Sequence, residues 1–137
     1  MSGAAGVNAI DWLTRAGAGV NLGESPVIVG WDLSGTVART GAAVHEISEG
    51  DEVFTMARFP DIAGAYAEYT VVPAGQLARK PSGVDHQTAA CAPMAGLTAW
   101  QTLFDHAHLN AGQRVLIHSA AGPTRLRPWT SLGRMDD

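Results

Sequence analysis

Glycine and proline interrupt this chain at short intervals, with sixteen Gly and seven Pro among its 137 residues. Both residue types mark turns and end helices, so most regular elements must be short. This pattern predicts a β-rich or mixed fold rather than an all-helical one. A chain of this length is expected to form one domain with a buried core.

The alternation of apolar and polar residues predicts where strands lie. Glu52–Met56 follows a Gly-Asp turn and alternates as a half-buried strand does. Residues 65–72 are rich in β-branched and aromatic side chains and form the clearest predicted strand. Residues 36–38 and 76–80 are weaker extended segments.

After Asp85 the spacing of apolar residues becomes helical. Asp85 is a residue type that caps helix N-termini, and it predicts a short helix that runs through Cys91 and ends at Pro93. Large apolar residues then recur on one helical face, namely Leu97, Trp100, Leu103 and Phe104. We therefore predict a helical segment near residues 86–107. Trp100 is expected in the core, and Cys91 is expected to be a small buried hydrophobic residue.

Residues 115–117 predict a short buried strand that runs into a Gly-bearing turn ending at Gly122, as at the opening of a dinucleotide-binding βαβ unit. Pro123 follows at once and has no backbone N–H to donate to a phosphate. Residues 123–137 contain three Arg, two Pro and no hydrophobic period. This unpatterned tail favours a shifted reading frame or an engineered end over a native disordered tail.

Charge and cysteine content argue against several classes of protein. The formal net charge of −4 supplies no basic surface for nucleic acid. No apolar run approaches the ~20 residues that span a membrane, and the N-terminus lacks the features of a secretory signal. A single cysteine excludes an internal disulfide and is typical of the reducing cytoplasm, where we expect this protein.

Short motifs along the chain carry a family resemblance. They are AGVNAIDW (5–12), GWDLSGTV (30–37), GDEVF (50–54), GAYAEY (64–69), KP (80–81), AA (89–90), Pro93, GLTAW (96–100), VLIH (115–118) and AAG (120–122). In order and spacing they resemble the medium-chain dehydrogenase/reductase superfamily, and within it the zinc-free quinone-oxidoreductase branch.

This resemblance implies a mainly β fold with some α. Residues 1–122 would form a GroES-like, partly open β-barrel. In family members this domain is joined to a Rossmann domain. We expect the first hairpin and the Rossmann domain to be absent here. The implied activity is NADPH-dependent reduction of a small carbonyl compound or quinone. With its cofactor site incomplete, the truncated chain alone is not expected to be competent for hydride transfer.

The resemblance also implies roles for individual residues. Asn8 would face the nicotinamide or the substrate carbonyl and stabilise an enolate-like oxygen; its alternative role is to satisfy loop backbone groups. Tyr66 is a candidate proton donor, with a half-buried structural tyrosine as the alternative. Thr98, Ala121 and Gly122 are the implied cofactor-binding residues, and the alternative for Thr98 is a bond to a carbonyl one turn back.

No metal site is expected. The zinc branch uses Cys and His at the positions that look like Asn8 and Trp31 in this chain. One Cys and five scattered His cannot form a Cys-rich tetrahedral set. Asp32 stands where the zinc branch has a carboxylate near its metal, and a salt bridge or turn contact is expected for it instead.

Functions of three classes stay open at this point. The chain is a truncated NADPH-dependent reductase, a domain repurposed as a cofactor-independent cyclase or lyase that uses Asn8 and a tyrosine, or a non-catalytic binding module. An unpaired sheet edge and an uncovered apolar helix face favour association. A homo-oligomer is therefore expected.

Overall fold

The computed structural model describes residues 1–23 and 26–117. The chain divides into two compact units, residues 1–94 and residues 95–137, of which the second is described as far as residue 117. Within the first unit lies a sheet of four strands in the order β1-β2-β3-β4. The strands are β1 (Ser2–Ala5), β2 (Asp32–Thr36), β3 (Glu52–Met56) and β4 (Ala78–Arg79).

All neighbouring strands of the sheet are antiparallel. β2 and β3 pair over their whole length, from Asp32 opposite Met56 to Thr36 opposite Glu52. β1 lies on the other side of β2, with a register shift between Ser2 and Ala4. β1 and β4 form the two edges, so the sheet is open rather than closed, and the prediction of a partly open β fold with some α is confirmed.

Three α-helices accompany the sheet: α1 (Ala9–Arg15), α2 (His86–Ala90) and α3 (Pro93–Trp100). A short 3₁₀ helix spans Ala74–Gln76, and a π-helical segment, Gln101–His106, follows α3. Asp85 caps α2 by accepting the backbone N–H of Thr88 at 2.7 Å, as its residue type predicts. The predicted helical segment near residues 86–107 is confirmed. None of the helices in the described part of the chain is long and apolar enough to cross a membrane.

Trp31 is the largest fully buried side chain of the core, at 0% exposed. It packs with Leu33, Ala57, Ala63 and Ala65. Its ring meets Phe59 edge-on with 5.4 Å between centroids, and its Nε1 donates to the Asp61 carbonyl at 2.8 Å. The indole thus buries a large apolar area while its one polar group keeps a partner.

Two predicted strands are not observed, and a third is shortened. Residues 65–72 form turns and irregular backbone, with Tyr69 and Val71 exposed, and the predicted strand over 76–80 is reduced to β4. Strand propensity reflects packing on a half-buried pleated surface, which residues 65–72 do not have. Residues 115–117 are also irregular, with Leu116 81% exposed, because no described strand lies beside them to take their hydrogen bonds.

Two burial predictions in the helical segment are wrong as well. Cys91 is exposed, because it lies at the C-cap of α2 rather than inside a longer helix. Trp100 is 52% exposed and contacts Phe104 with 4.6 Å between ring centroids. The apolar spacing assumed 3.6 residues per turn, whereas the turns after Trp100 are π-helical with i→i+5 bonding. The predicted tail, residues 123–137, lies outside the described residues.

Candidate functional site

Asn8 is the N-cap of α1 and is half-buried. Its side-chain Nδ2 donates a hydrogen bond to Asp32 Oδ2 at 2.9 Å. Asp32 is the first residue of β2, and only 1% of it is exposed. Because a carboxylate only accepts hydrogen bonds, this contact fixes which end of the amide faces Asp32. The second Nδ2–H of Asn8 bonds to no other described residue.

Among the described residues Asp32 forms no salt bridge, which was one of the two contacts expected for it; hydrogen bonds hold it instead. Both of its carboxyl oxygens lie 3.1 Å from the Met94 backbone nitrogen, which donates to them. Burial raises the pKa of Asp32, the Asn8 and Met94 donors oppose that rise, and the nearby Asp11 charge adds to it. The carboxyl is therefore a buried acceptor that orients the Asn8 amide.

Asp11 brings the two predicted catalytic residues together. Its Oδ2 accepts the Asn8 backbone N–H at 2.6 Å and the Tyr66 hydroxyl at 2.9 Å. Asp11 is 2% exposed, and its Oδ1 has no hydrogen-bond partner in the described chain. Burial, followed by the hydrogen bond to Asp11 and the charges of both carboxylates, raises the pKa of Tyr66. Tyr66 thus holds its proton at neutral pH and donates it in a hydrogen bond to Asp11.

Two glycines permit the close approaches that build this cluster. Gly30 has φ +97°, and a Cβ at this position would lie 2.6 Å from the Tyr66 ring. At Gly6 a Cβ would lie 2.3 Å from the Ala90 carbonyl oxygen and 2.9 Å from Asp32 Cβ. Any side chain at either position would displace a neighbour of the cluster.

The cofactor-binding residues implied by resemblance are described only in part. Thr98 is exposed in α3, and its hydroxyl makes no hydrogen bond within the described residues. Its backbone carbonyl instead accepts the Thr102 hydroxyl at 2.7 Å. A free, exposed hydroxyl fits a nicotinamide or ribose partner. Ala121 and Gly122 lie outside the described residues.

Residues with metal-binding side chains do not gather in the described part of the chain. Across residues 1–23 and 26–117, no group of three or more His, Cys, Asp or Glu is placed to hold a metal ion. Trp31 is buried in the core, and the Asn8 Nδ2 donates to the Asp32 carboxylate. The groups around Asp32, the Asn8 amide and the Met94 backbone N–H, are hydrogen-bond donors.

Sequence reasoning missed two parts of this cluster. Asp11 lies three residues after Asn8, and that spacing is the N-cap to N3 spacing of a capping box, a local signal that could have identified it. The Met94 N–H gave no signal, because a backbone donor becomes part of a site only through the fold.

Comparisons with known proteins agree with this architecture. The alcohol dehydrogenase GroES-like domain family matches residues 2–82. The curated quinone oxidoreductase of Lama guanicoe is 32% identical over 119 residues, which are 87% of this chain and 35% of that protein. The solved quinone oxidoreductase of Coxiella burnetii superposes with a TM-score of 0.82 at 36% identity, over 90% of this chain and 40% of that chain.

A mycobacterial protein solved in complex with NADPH superposes with a TM-score of 0.77 at 36% identity, over 90% of this chain and 37% of that chain. The chain therefore spans between a third and two fifths of the length of these relatives. The open antiparallel sheet, the family match and these relatives agree. The chain belongs to the alcohol dehydrogenase GroES-like domain family, in the quinone-oxidoreductase-like branch of the medium-chain dehydrogenase/reductase superfamily.

Proposed function

We propose that this chain supplies the substrate side of an NADPH-dependent, zinc-independent reductase of quinones, enones or related activated double bonds. The observation that carries the proposal is the half-buried Asn8 amide, which the buried Asp32 carboxyl holds and which keeps one N–H without a partner among the described residues. The likeness to quinone oxidoreductases supports the substrate class. The relative solved with NADPH supports the cofactor.

Asn8 would act on the oxygen of the substrate. Bound NADPH would supply the hydride, and its addition to an enone or quinone moves an electron pair onto the carbonyl oxygen. The free Nδ2–H of Asn8 would donate to that oxygen. Because Asp32 already orients the amide, little reorganisation accompanies the reaction.

Tyr66 is the second proposed catalytic residue, as a proton donor. Its hydroxyl proton is engaged by Asp11, so it would reach a substrate only by exchanging that bond. The raised pKa makes this phenol a weak acid at neutral pH. We therefore expect Tyr66 to contribute less to the reaction than Asn8.

We propose Thr98, Ala121 and Gly122 as cofactor contacts, with the free Thr98 hydroxyl supporting the first of them. Because the chain spans about a third of its relatives' length, the chain alone is not expected to complete hydride transfer. A cytoplasmic location is proposed from its single cysteine.

The test measures whether Asn8 polarises a bound carbonyl. Purified chain is titrated with carbonyl-¹³C cyclohexenone, and the carbonyl stretch is followed by infrared difference spectroscopy. We expect a downshifted bound band in the wild type, its loss in Asn8→Ala, and its retention in the matched control Asn21→Ala, an exposed asparagine of the same unit. An equal downshift in Asn8→Ala would contradict the proposal.

Cofactor binding is tested in the same preparation by thermal melts with and without NADPH. A ligand at about 100 times its Kd adds roughly 2.7 kcal/mol, which corresponds to an upward shift of about 9 °C for a domain of this size. An unchanged melt would contradict an NADPH site within this chain. Conversion of cyclohexenone without NADPH would favour a cofactor-independent cyclase or lyase. Binding of neither ligand would favour a non-catalytic binding module.

A further inference from the structure

A cavity of about 350 Å³ opens in the first unit of the chain. Strands β2 and β3, the connection between them and residues 69–77 supply its wall. The wall is mainly apolar and includes Leu33, Val37, Val44, Ile47, Val53 and Leu77. The volume lies within the range of small-molecule sites, about 300–1,000 Å³.

The cavity is distinct from the cluster around Asn8. None of Asn8, Asp11, Asp32 and Tyr66 contributes to its wall. Alternation along β2 places Leu33 on the face opposite to Asp32. A ligand in this cavity would therefore lie on the other side of β2 from the proposed catalytic residues.

Exposed apolar side chains gather at the cavity. Met1 is 59% exposed, Tyr69 61% and Val71 80%, and all three belong to the wall. Single exposed apolar residues are ordinary, but a contiguous group around a concavity is typical of a binding site.

The charge of the wall selects the kind of ligand. Among the described residues of the wall, Arg39 has the one charged side chain, and no described Asp or Glu belongs to the wall. Within the described residues Arg39 makes no ion pair, whereas the acidic Asp51 and Glu52 are already paired with other cations. Glu46 and Glu49 lie in the same connection but outside the wall. The Met1 ammonium, which donates to the Thr36 carbonyl at 2.6 Å, is a second positive group at the wall. The cavity thus combines an apolar interior with positive charge and with no carboxylate among its described wall residues.

We propose that this cavity binds a small amphiphile with an apolar body and an anionic head group, such as a medium-chain carboxylate. The body lies among the apolar side chains, and the carboxylate accepts hydrogen bonds from the Arg39 guanidinium. Ser2 and Thr36 belong to the same wall, and their hydroxyls offer further donors. This inference is independent of the proposed reductase function.

The test compares three ligands that share an apolar chain and differ in head group: octanoate, octan-1-ol and octylammonium. Each is titrated into the ¹⁵N-labelled chain, and affinities are taken from amide shifts. We expect octanoate to bind most tightly and octylammonium least. The shifts should centre on Val44, Ile47 and Val71.

Charge variants locate the head group. Arg39→Gln should lower octanoate affinity by about two- to five-fold, the range for an exposed ion pair, and leave octan-1-ol unaffected. The matched control Arg15→Gln removes the same charge from the end of α1 and should change neither affinity. Ala74→Trp, which fills part of the cavity, should weaken octanoate and octan-1-ol together.

Three results would overturn the proposal. Equal affinities for octanoate and octan-1-ol in the wild type would remove the role of the charge. Equal losses in Arg39→Gln and Arg15→Gln would show a general charge effect. Shifts centred on Asn8 and Tyr66 would place the amphiphile at the other cluster. The first and third results need only the wild-type protein and do not depend on how the variants fold.

Discussion

Two buried carboxyl groups, Asp11 and Asp32, organise the candidate catalytic residues. A buried carboxylate is costly unless hydrogen bonds replace its water. Asp32 has the Asn8 amide and the Met94 N–H, and Asp11 has the Asn8 N–H and the Tyr66 hydroxyl. The same bonds that offset this cost fix the orientation of the Asn8 amide and the Tyr66 phenol.

Asp32→Asn should change how stability depends on pH. Because burial raises the pKa of Asp32 above its ordinary 3.8, the folded protein holds this proton more tightly than the unfolded chain does. The stability of the wild type relative to Asp32→Asn is therefore highest below pH 3.8 and falls as pH rises through the raised pKa. Urea unfolding of both proteins between pH 3 and pH 8 measures the difference.

Asp51→Asn is the matched control, and we expect its stability difference from the wild type to change with pH in the opposite direction. The Ser48 backbone N–H lowers the pKa of Asp51 below 3.8. The wild type should therefore gain stability over Asp51→Asn above pH 3.8 and lose that advantage as pH falls through the lowered pKa. Parallel pH profiles for the two variants would contradict the assignment of Asp32 as a destabilised buried acid.

Helix α2 is attached to both central strands through one side chain. His86 Nδ1 lies 2.8 Å from Ser34 Oγ on β2, and its Nε2 lies 3.2 Å from Glu52 Oε1 on β3. The Ser34 hydroxyl also donates to the Val53 carbonyl at 3.0 Å. Met94 follows the end of α2 after three residues, so this attachment also helps to position the N–H that binds Asp32.

His86→Ala should lower the free energy of unfolding by about 1 kcal/mol, the usual net value of a lost hydrogen bond. The loss stays modest because Ser34 keeps its bond to Val53 and is not left without a partner. His45→Ala, at an exposed histidine of the β2–β3 connection, is the control and should be neutral. Equal stability of the two variants in urea unfolding would show that His86 does not anchor α2.

Exposed apolar surface and open sheet edges characterise the chain taken as a whole. Leu97 is 42% exposed and Trp100 52% exposed on α3, and β1 and β4 are edge strands. Surfaces of these two kinds favour association with another chain. The homo-oligomer predicted from sequence stays a prediction that these features support.

Light scattering at micromolar concentration measures the oligomeric state directly. We expect the wild type to associate and Trp100→Glu to shift the equilibrium toward monomer, because a charge on this helix would have to be desolvated in an interface. Val7→Glu places the same charge at another exposed apolar position, 78% exposed, and should not change the state. A monodisperse wild-type monomer would contradict association.

Local interactions explain which predictions succeeded. The alternation in Glu52–Met56 and the Asp85 cap each involve residues a few positions apart, so the sequence alone determined β3 and the start of α2. Motif order along the chain likewise determined the family. Capping and strand alternation operate over about one turn or one pleat, a range that a single sequence displays directly.

Tertiary structure alone decided burial and convergence. Residues 65–72 have strand-like composition, yet they form no ladder with any described strand, and Trp100 is exposed although its spacing suggested a core face. Asn8, Asp11, Asp32 and Tyr66 come from three separate segments and meet only because the sheet brings those segments together. Burial and hydrogen-bond partnership depend on distant residues, and the local sequence does not contain that information.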